Sequence, residues 1–212
     1  MGCIKGEYKR CGQQSRCDKY QEYHPGVFSE NLIRGRPLFR QACLNSQRAS
    51  PGSSDVYAAL VVVVNAKFPQ VGVPLLQMAI LRFQMAYKRS NKDLLLVSAK
   101  FIAHLVNQQV VHELIALELV TLLLKNQNED RVEVAIDFQC GSKLQDLSPQ
   151  GLHGIFECFQ RILDEGEIDK SLIEGLFALR KTGFQGHPAI RPKLDLVRLG
   201  DQVTHKVSLH VR

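Results

Sequence analysis

The residues that could do chemistry come close to known catalytic frames without completing one. His112-Glu113-Leu114-Ile115-Ala116 opens like the helix of a zinc protease, where two histidines one turn apart face the metal and a glutamate acts as base. Ala116 stands where the second histidine must be, so this frame does not hold zinc. No G-x-x-x-x-G-K-[S/T] loop is present to cradle a triphosphate, and no G-x-S-x-G elbow presents a serine nucleophile. His104 and His112 lie eight residues apart across a helix break, which suits partly buried, hydrogen-bonded imidazoles better than an acid–base pair. Glu118 falls inside the most apolar stretch of the chain. A buried, unpaired carboxylate is costly, so a partner on a neighbouring helix is expected, in a structural role.

The six cysteines are Cys3, Cys11, Cys17, Cys43, Cys140 and Cys158, and none forms a C-x-x-C pair. Cys11 and Cys17 are separated by five residues and followed by His24, too loose for the tight knuckles of a zinc site. Cys158 lies on an apolar helical face and reads as core. Free thiols in a reducing compartment are expected. Met1-Gly2-Cys3 resembles the start of a doubly acylated protein, but Gly6 replaces the Ser or Thr that the motif wants. No metal, cofactor or small-molecule substrate is expected, and no catalytic residue is assigned.

Basic residues cluster instead. Arg34-Gly35-Arg36 is followed by Arg40, Lys88-Arg89 and Lys92 surround a turn, and Arg180-Lys181 closes a helix, where cations also complement the helix dipole. Residues 1–50 carry nine Lys/Arg and four Asp/Glu, net +5, whereas residues 51–150 carry nine of each, net 0. The basic excess therefore belongs to the N-terminal quarter. It reads either as a solvated tail or as a surface for RNA or another acidic partner.

The elements that must position these residues are helical. The chain has 212 residues, 45% hydrophobic and 23% charged, which excludes disordered, collagenous and disulfide-scaffold classes. The longest apolar run, Val56–Val64, has nine residues, too few to cross a bilayer, which takes about 20. No charged-then-apolar leader opens the chain, so no secretion signal is expected. Residues 1–28 look irregular, a divergent and disordered basic tail. A short helix is expected from Ser29 to Ser46. Ser53 and Ser54 cap a helix through Val56–Val64 that Phe68-Pro69 ends, and Pro74 suits the first turn of the next. Ser90 or Asn91 caps a third helix with Leu94, Val97, Phe101 and Leu105 on one face. A fourth, about Val110–Lys125, is apolar nearly all round. A fifth carries Val132, Val134, Ala135, Ile136 and Phe138, a sixth opens at Ser148-Pro149, and a seventh runs from near Ile168 to Thr182-Gly183. Taken in pairs, these hairpins start near Ser53, Asn91, Asn128 and Glu167, steps of 38, 37 and 39 residues. Two helices per period of about 40 fit HEAT-like solenoids, and a plain up-down bundle stays open on pattern alone.

Particular strings then resemble one family. Val56-Tyr57-Ala58-Ala59-Leu60 leading to Asn65-Ala66-Lys67-Phe68-Pro69-Gln70, Ser98–Leu105, Leu117–Leu124, Glu133–Ile136, Arg180–Phe184 and Asp201–His205 look like the middle domain of initiation factor 4G. Within that superfamily they are most similar to the nucampholin-type pre-mRNA splicing factors. The likeness runs from Ser29 to His205, leaving residues 206–212 as a tail. It implies an all-α, HEAT-like α-α superhelix without enzymatic activity. It further implies a nuclear splicing scaffold whose partners are spliceosomal proteins and a DEAD-box RNA helicase of initiation factor 4A type, that of the exon junction complex. The helicase is gripped with its lobes apart, so that it does not close on ATP and RNA. Carried over residue by residue, the likeness places Arg180, Lys181 and Phe184 at the helicase-facing end and Arg34 and Arg36 near a second contact. The family's helix ahead of Ser29 has no counterpart in Met1–Gly26, and the chain is about three residues shorter after Lys170, inside the seventh helix. The alternative from another class is an RNA-binding helical module using the basic N-terminal quarter, with no membrane role in either case.

Overall fold

The computed structural model describes residues 32–125, 128–140, 143–165, 170–183 and 189–209. The expected tail 1–28, with Gly2, Cys3, Cys11, Cys17 and His24, lies outside them. The described elements are α1 (Leu32–Ala49), α2 (Ser54–Lys67), α3 (Pro69–Lys88), α4 (Lys92–Asn107), α5 (Leu114–Lys125), α6 (Glu129–Cys140), the single turn α7 (Leu144–Leu147), α8 (Pro149–Glu165) and α9 (Lys170–Lys181), with three short 3-10 turns. Described helices α2, α4, α6 and α9 begin at residues 54, 92, 129 and 170, so the helical period read from the sequence is present. The fold is all-α with stacked helical hairpins, as in a HEAT-like solenoid. No described helix is long and apolar enough to cross a membrane.

Local chemistry accounts for most boundaries. Asn91 caps α4 by accepting from the Leu94 N–H at 3.0 Å, and Asn128 does the same for the Arg131 N–H at 2.9 Å ahead of α6. Gly183 takes the left-handed conformation at φ 64° just past α9, and its N–H returns to the Arg180 carbonyl at 3.0 Å. Two expected boundaries move. Helix α3 starts at Pro69, where a missing N–H costs nothing, and Pro74 falls inside it, forgoing one internal hydrogen bond. Helix α5 starts at Leu114, four residues later than expected, because the preceding backbone pairs elsewhere. The His205 N–H donates to Val110 O at 3.0 Å and the His112 N–H donates to His205 O at 3.0 Å, making an isolated parallel bridge between Val111 and His205.

Packing follows the expected order of the hairpins. Helix α2 lies against α3 and α4, α4 also against α6, α5 against α6 and α8, and α9 against α6 and α8. One continuous apolar core runs from Leu32 to Leu209 and includes Phe83, Phe101, Phe138, Phe156 and Phe159. The fourth repeat differs from the earlier ones. After α9, the described chain from 189 to 209 is irregular and folds back over the helices. Its polar backbone groups are met by buried side-chain amides. Asn107 donates to Ala189 O at 2.9 Å, Gln108 to Leu194 O at 3.1 Å and Asn65 to Val203 O at 2.6 Å. Arg191 pairs with Asp55 at the start of α2. Residues 206–209, placed in a tail by the sequence, lie along the helices instead: Leu209 is buried, its N–H donates to Glu118 Oε2 at 2.7 Å, and Gln84 donates to its carbonyl.

Candidate functional site

The polar groups flagged by sequence resolve into structural roles. Glu118 is on the exposed face of α5, and its partner is the Leu209 backbone rather than a side chain on a neighbouring helix. Leu114, Glu118, Thr121 and Lys125 form one open stripe on α5, so this helix is not covered all round as its apolar composition suggests. His112 contacts its neighbour Glu113 at 3.3 Å, both half-buried. His104 is held neutral by burial, against the opposing pull of Asp55. Burial likewise lowers the pKa of His205, whose Nε2 lies 2.7 Å from Asn65 Oδ1. Because the Asn65 amide NH2 already donates to Val203 O, that ring nitrogen is the donor. Cys43 is fully buried and its thiol is pushed up to about 12 by desolvation, which leaves it unreactive. Among the described residues, no three His, Cys, Asp or Glu side chains are placed to hold a metal.

The basic clusters separate into paired and open groups. Lys92 bridges α4 to α6 through Asp130 at 3.0 Å and Glu133 at 2.6 Å, and hydrogen bonds to these carboxylates raise its pKa. It is therefore removed from the open basic turn that the sequence suggested, while Lys88 and Arg89 stay exposed. At the far end, Arg180 is half-buried with its guanidinium 4.1 Å above the Phe156 ring. Phe177 meets the same ring edge-on at 5.4 Å. The stack fixes the last turn of α9, so Lys181 projects from a rigid support and is exposed. Phe184 lies outside the described residues. Arg34 and Arg36 sit in the opening turns of α1, both exposed. Helix α1 packs on α2, α3 and α4, whereas α9 packs on α6 and α8, so the two basic pairs belong to different helical units.

Two polar centres were missed from sequence. Arg131 of α6 lies 4.3 Å from the Tyr87 ring centroid of α3, and the Tyr87 hydroxyl donates to Leu122 O of α5 at 3.3 Å. Asn65 accepts from His205 over a distance of 140 residues. Gly72 makes that possible, since a Cβ there would lie 2.0 Å from Asn65 Oδ1. An asparagine closing a valine run, with a glycine two turns later in the next helix, was the available signal.

Comparison with known proteins agrees with this architecture. The MIF4G domain family matches residues 41–181. The pre-mRNA-splicing factor CWC22 homologs of Mus musculus and Homo sapiens are each 49% identical over 188 residues, covering 86% of this chain and 21% of theirs. The Drosophila melanogaster homolog is 45% identical over 188 residues, covering 86% of this chain and 14% of its own. The chain thus spans about a fifth or less of the length of these curated relatives. A helical stack with the expected period and this match over residues 41–181 place the chain in the MIF4G domain family.

Proposed function

We propose that this chain is a non-enzymatic scaffold of the nuclear pre-mRNA splicing machinery. It docks a DEAD-box RNA helicase of initiation factor 4A type and holds its two lobes apart. The observation that carries this reading is the 49% identity to pre-mRNA-splicing factors across 86% of the chain. In this reading the helical unit 29–205 does the docking and residues 1–28 form a separate basic tail. The contact at one end is made by Lys181 and Arg180, with Phe184, and a second contact by Arg34 and Arg36. The mechanism is selective binding: a scaffold that fits only the open helicase lowers the population of the closed form without any chemistry of its own. The stack of Arg180 on Phe156 supports the assignment, because a preformed cationic edge loses little entropy on docking.

Calorimetric titration with the exon-junction helicase, without nucleotide, tests the proposal. The expected result is binding that an Arg180→Glu/Lys181→Glu double variant loses while keeping its helical circular dichroism. Absence of binding by a folded chain would overturn it. Binding to RNA alone, falling steeply with salt as counterions are released, would favour the RNA-binding alternative.

A further inference from the structure

We infer that the outer face of α1, with the adjoining edge of α3, is a docking surface for an acidic amphipathic helix of a protein partner. Neither helix carries a carboxylate: α1 holds Arg34, Arg36, Arg40 and Arg48, and α3 holds Arg82 and Lys88, followed by Arg89. On α1, Leu38, Gln41, Asn45 and Arg48 recur at spacings of three and four, one helical face, and all four are exposed. On α3, the half-buried Met78 and Arg82 and the exposed Met85, with Arg89 at the helix C-cap, recur in the same way along one edge. The two stripes meet where Arg82 Nη2 donates to Asn45 Oδ1 at 2.7 Å.

Arg82 is the unusual member. It is partly buried, it stands well before the end of α3, so it does not serve the helix dipole, and the partner found for it is a neutral amide. Burial and the nearby charge of Arg48 both press its pKa down. Two guanidinium groups set together in this way match carboxylates, which they bind in bidentate fashion. The apolar part of the surface decides between anions. Leu38 is 48% exposed and Met85 46%, and these are two of the five large hydrophobic side chains left open among the described residues. None of the five is aromatic, so the surface has no platform on which bases would stack. Leucine and methionine beside arginine instead suit a helix with apolar residues on one face and Asp or Glu at its rim. From Leu38 to Arg48 the stripe is about 15 Å long, room for roughly three turns of a partner helix. The surface shares no residue with the Arg180–Lys181 end, and Arg34 and Arg36, the second contact of the helicase reading, lie on α1 ahead of the Leu38–Arg48 stripe.

The test uses the full chain and a fluorescent peptide of about four turns, with leucine on one face and glutamate on its flanks. A peptide with lysine in place of glutamate and an oligouridylate of equal length serve as controls. Anisotropy is expected to report binding of the glutamate peptide at about 100 μM or tighter, weakened about tenfold or more by Arg48→Glu/Arg82→Glu and by Leu38→Ser. Arg82→Gln, which keeps a donor for Asn45, is expected to weaken it less, and Lys181→Glu not at all. No binding at about 1 mM peptide overturns the inference, as does binding that survives the charge reversal. Tighter binding of the oligouridylate, lost in the same variant, assigns the surface to nucleic acid and overturns it equally.

Discussion

Helices α2 and α9 are similar in length, fourteen residues against twelve, yet they hold opposite positions in the stack. Nine residues of α2 are buried, including Leu60, Val61, Val62 and Val64, whereas only Ile173 and Leu176 of α9 are. The difference is one of covering. Helix α2 is enclosed by α3, α4 and the returning C-terminal segment, while α9 rests on α6 and α8 and keeps its other side in water. In a solenoid each repeat is stabilised by its neighbours, so an interior helix carries stability and a terminal one leaves surface for a partner. Lys181 at the end of α9 can thus be exchanged at little structural cost, whereas Arg180 gives up its stack on Phe156 and polar change within α2 is not tolerated.

Matched truncations probe that contrast most strongly. Leu60→Ala is expected to cost about 3 kcal/mol in urea-unfolding free energy, and Leu172→Ala in α9, 38% exposed, less than about 0.5. Equal costs would mean that α2 and α9 are equally covered in solution. A pair of glycines gives the next largest effect, and one of opposite sign. Gly72→Ala drives a Cβ into the Asn65 side chain and should break its bonds to His205 and Val203, a loss of about 2 kcal/mol. Gly175→Ala in α9 meets open space and should stabilise by about 0.5–1 kcal/mol through helix propensity. Thermal melts of the two variants would settle both signs at once.

The smallest effect is one of pH. His104 is buried within reach of the Asp55 charge, and His205 is hydrogen-bonded to Asn65 of α2. Burial keeps the pKa of both below the ordinary 6.5, so the unfolded chain takes up protons that the native one resists. Their contribution is complete above about pH 6.5 and is lost progressively as pH falls from there through the lowered native pKa values. Stability should therefore decline between pH 7 and 5 by amide exchange, with protection lost around α2 and the 203–209 segment. A His205→Gln variant, which keeps an N–H donor, should flatten part of that decline.

Much of the helical frame was legible in the chain itself. Asn91 and Asn128 cap helices, Pro149 opens one and Gly183 closes one because each residue acts on the backbone within one turn of itself. The apolar periodicity of Leu94 to Leu105 and Leu152 to Ile162 likewise needs no distant partner. The candidate site was legible only in part. Arg180 and Lys181 were found as a basic helix end, but that Phe156 fixes Arg180, or that Lys92 is spent on Asp130 and Glu133, depends on which helices touch.

The sequence by itself determined the helices, their period near 40 residues and the basic bias of the first quarter, since propensity, capping and charge are local or additive properties. The tertiary structure alone decided the rest. It turned residues 206–209 from an apparent tail into part of a strip, continuous with residues 203–205, that is held by Asn65, Val110, His112 and Glu118, and it seated Arg82 of α3 on Asn45 of α1. Such contacts join residues from 37 to 140 positions apart, and their free energy exists only once the helices have stacked and excluded water from between them.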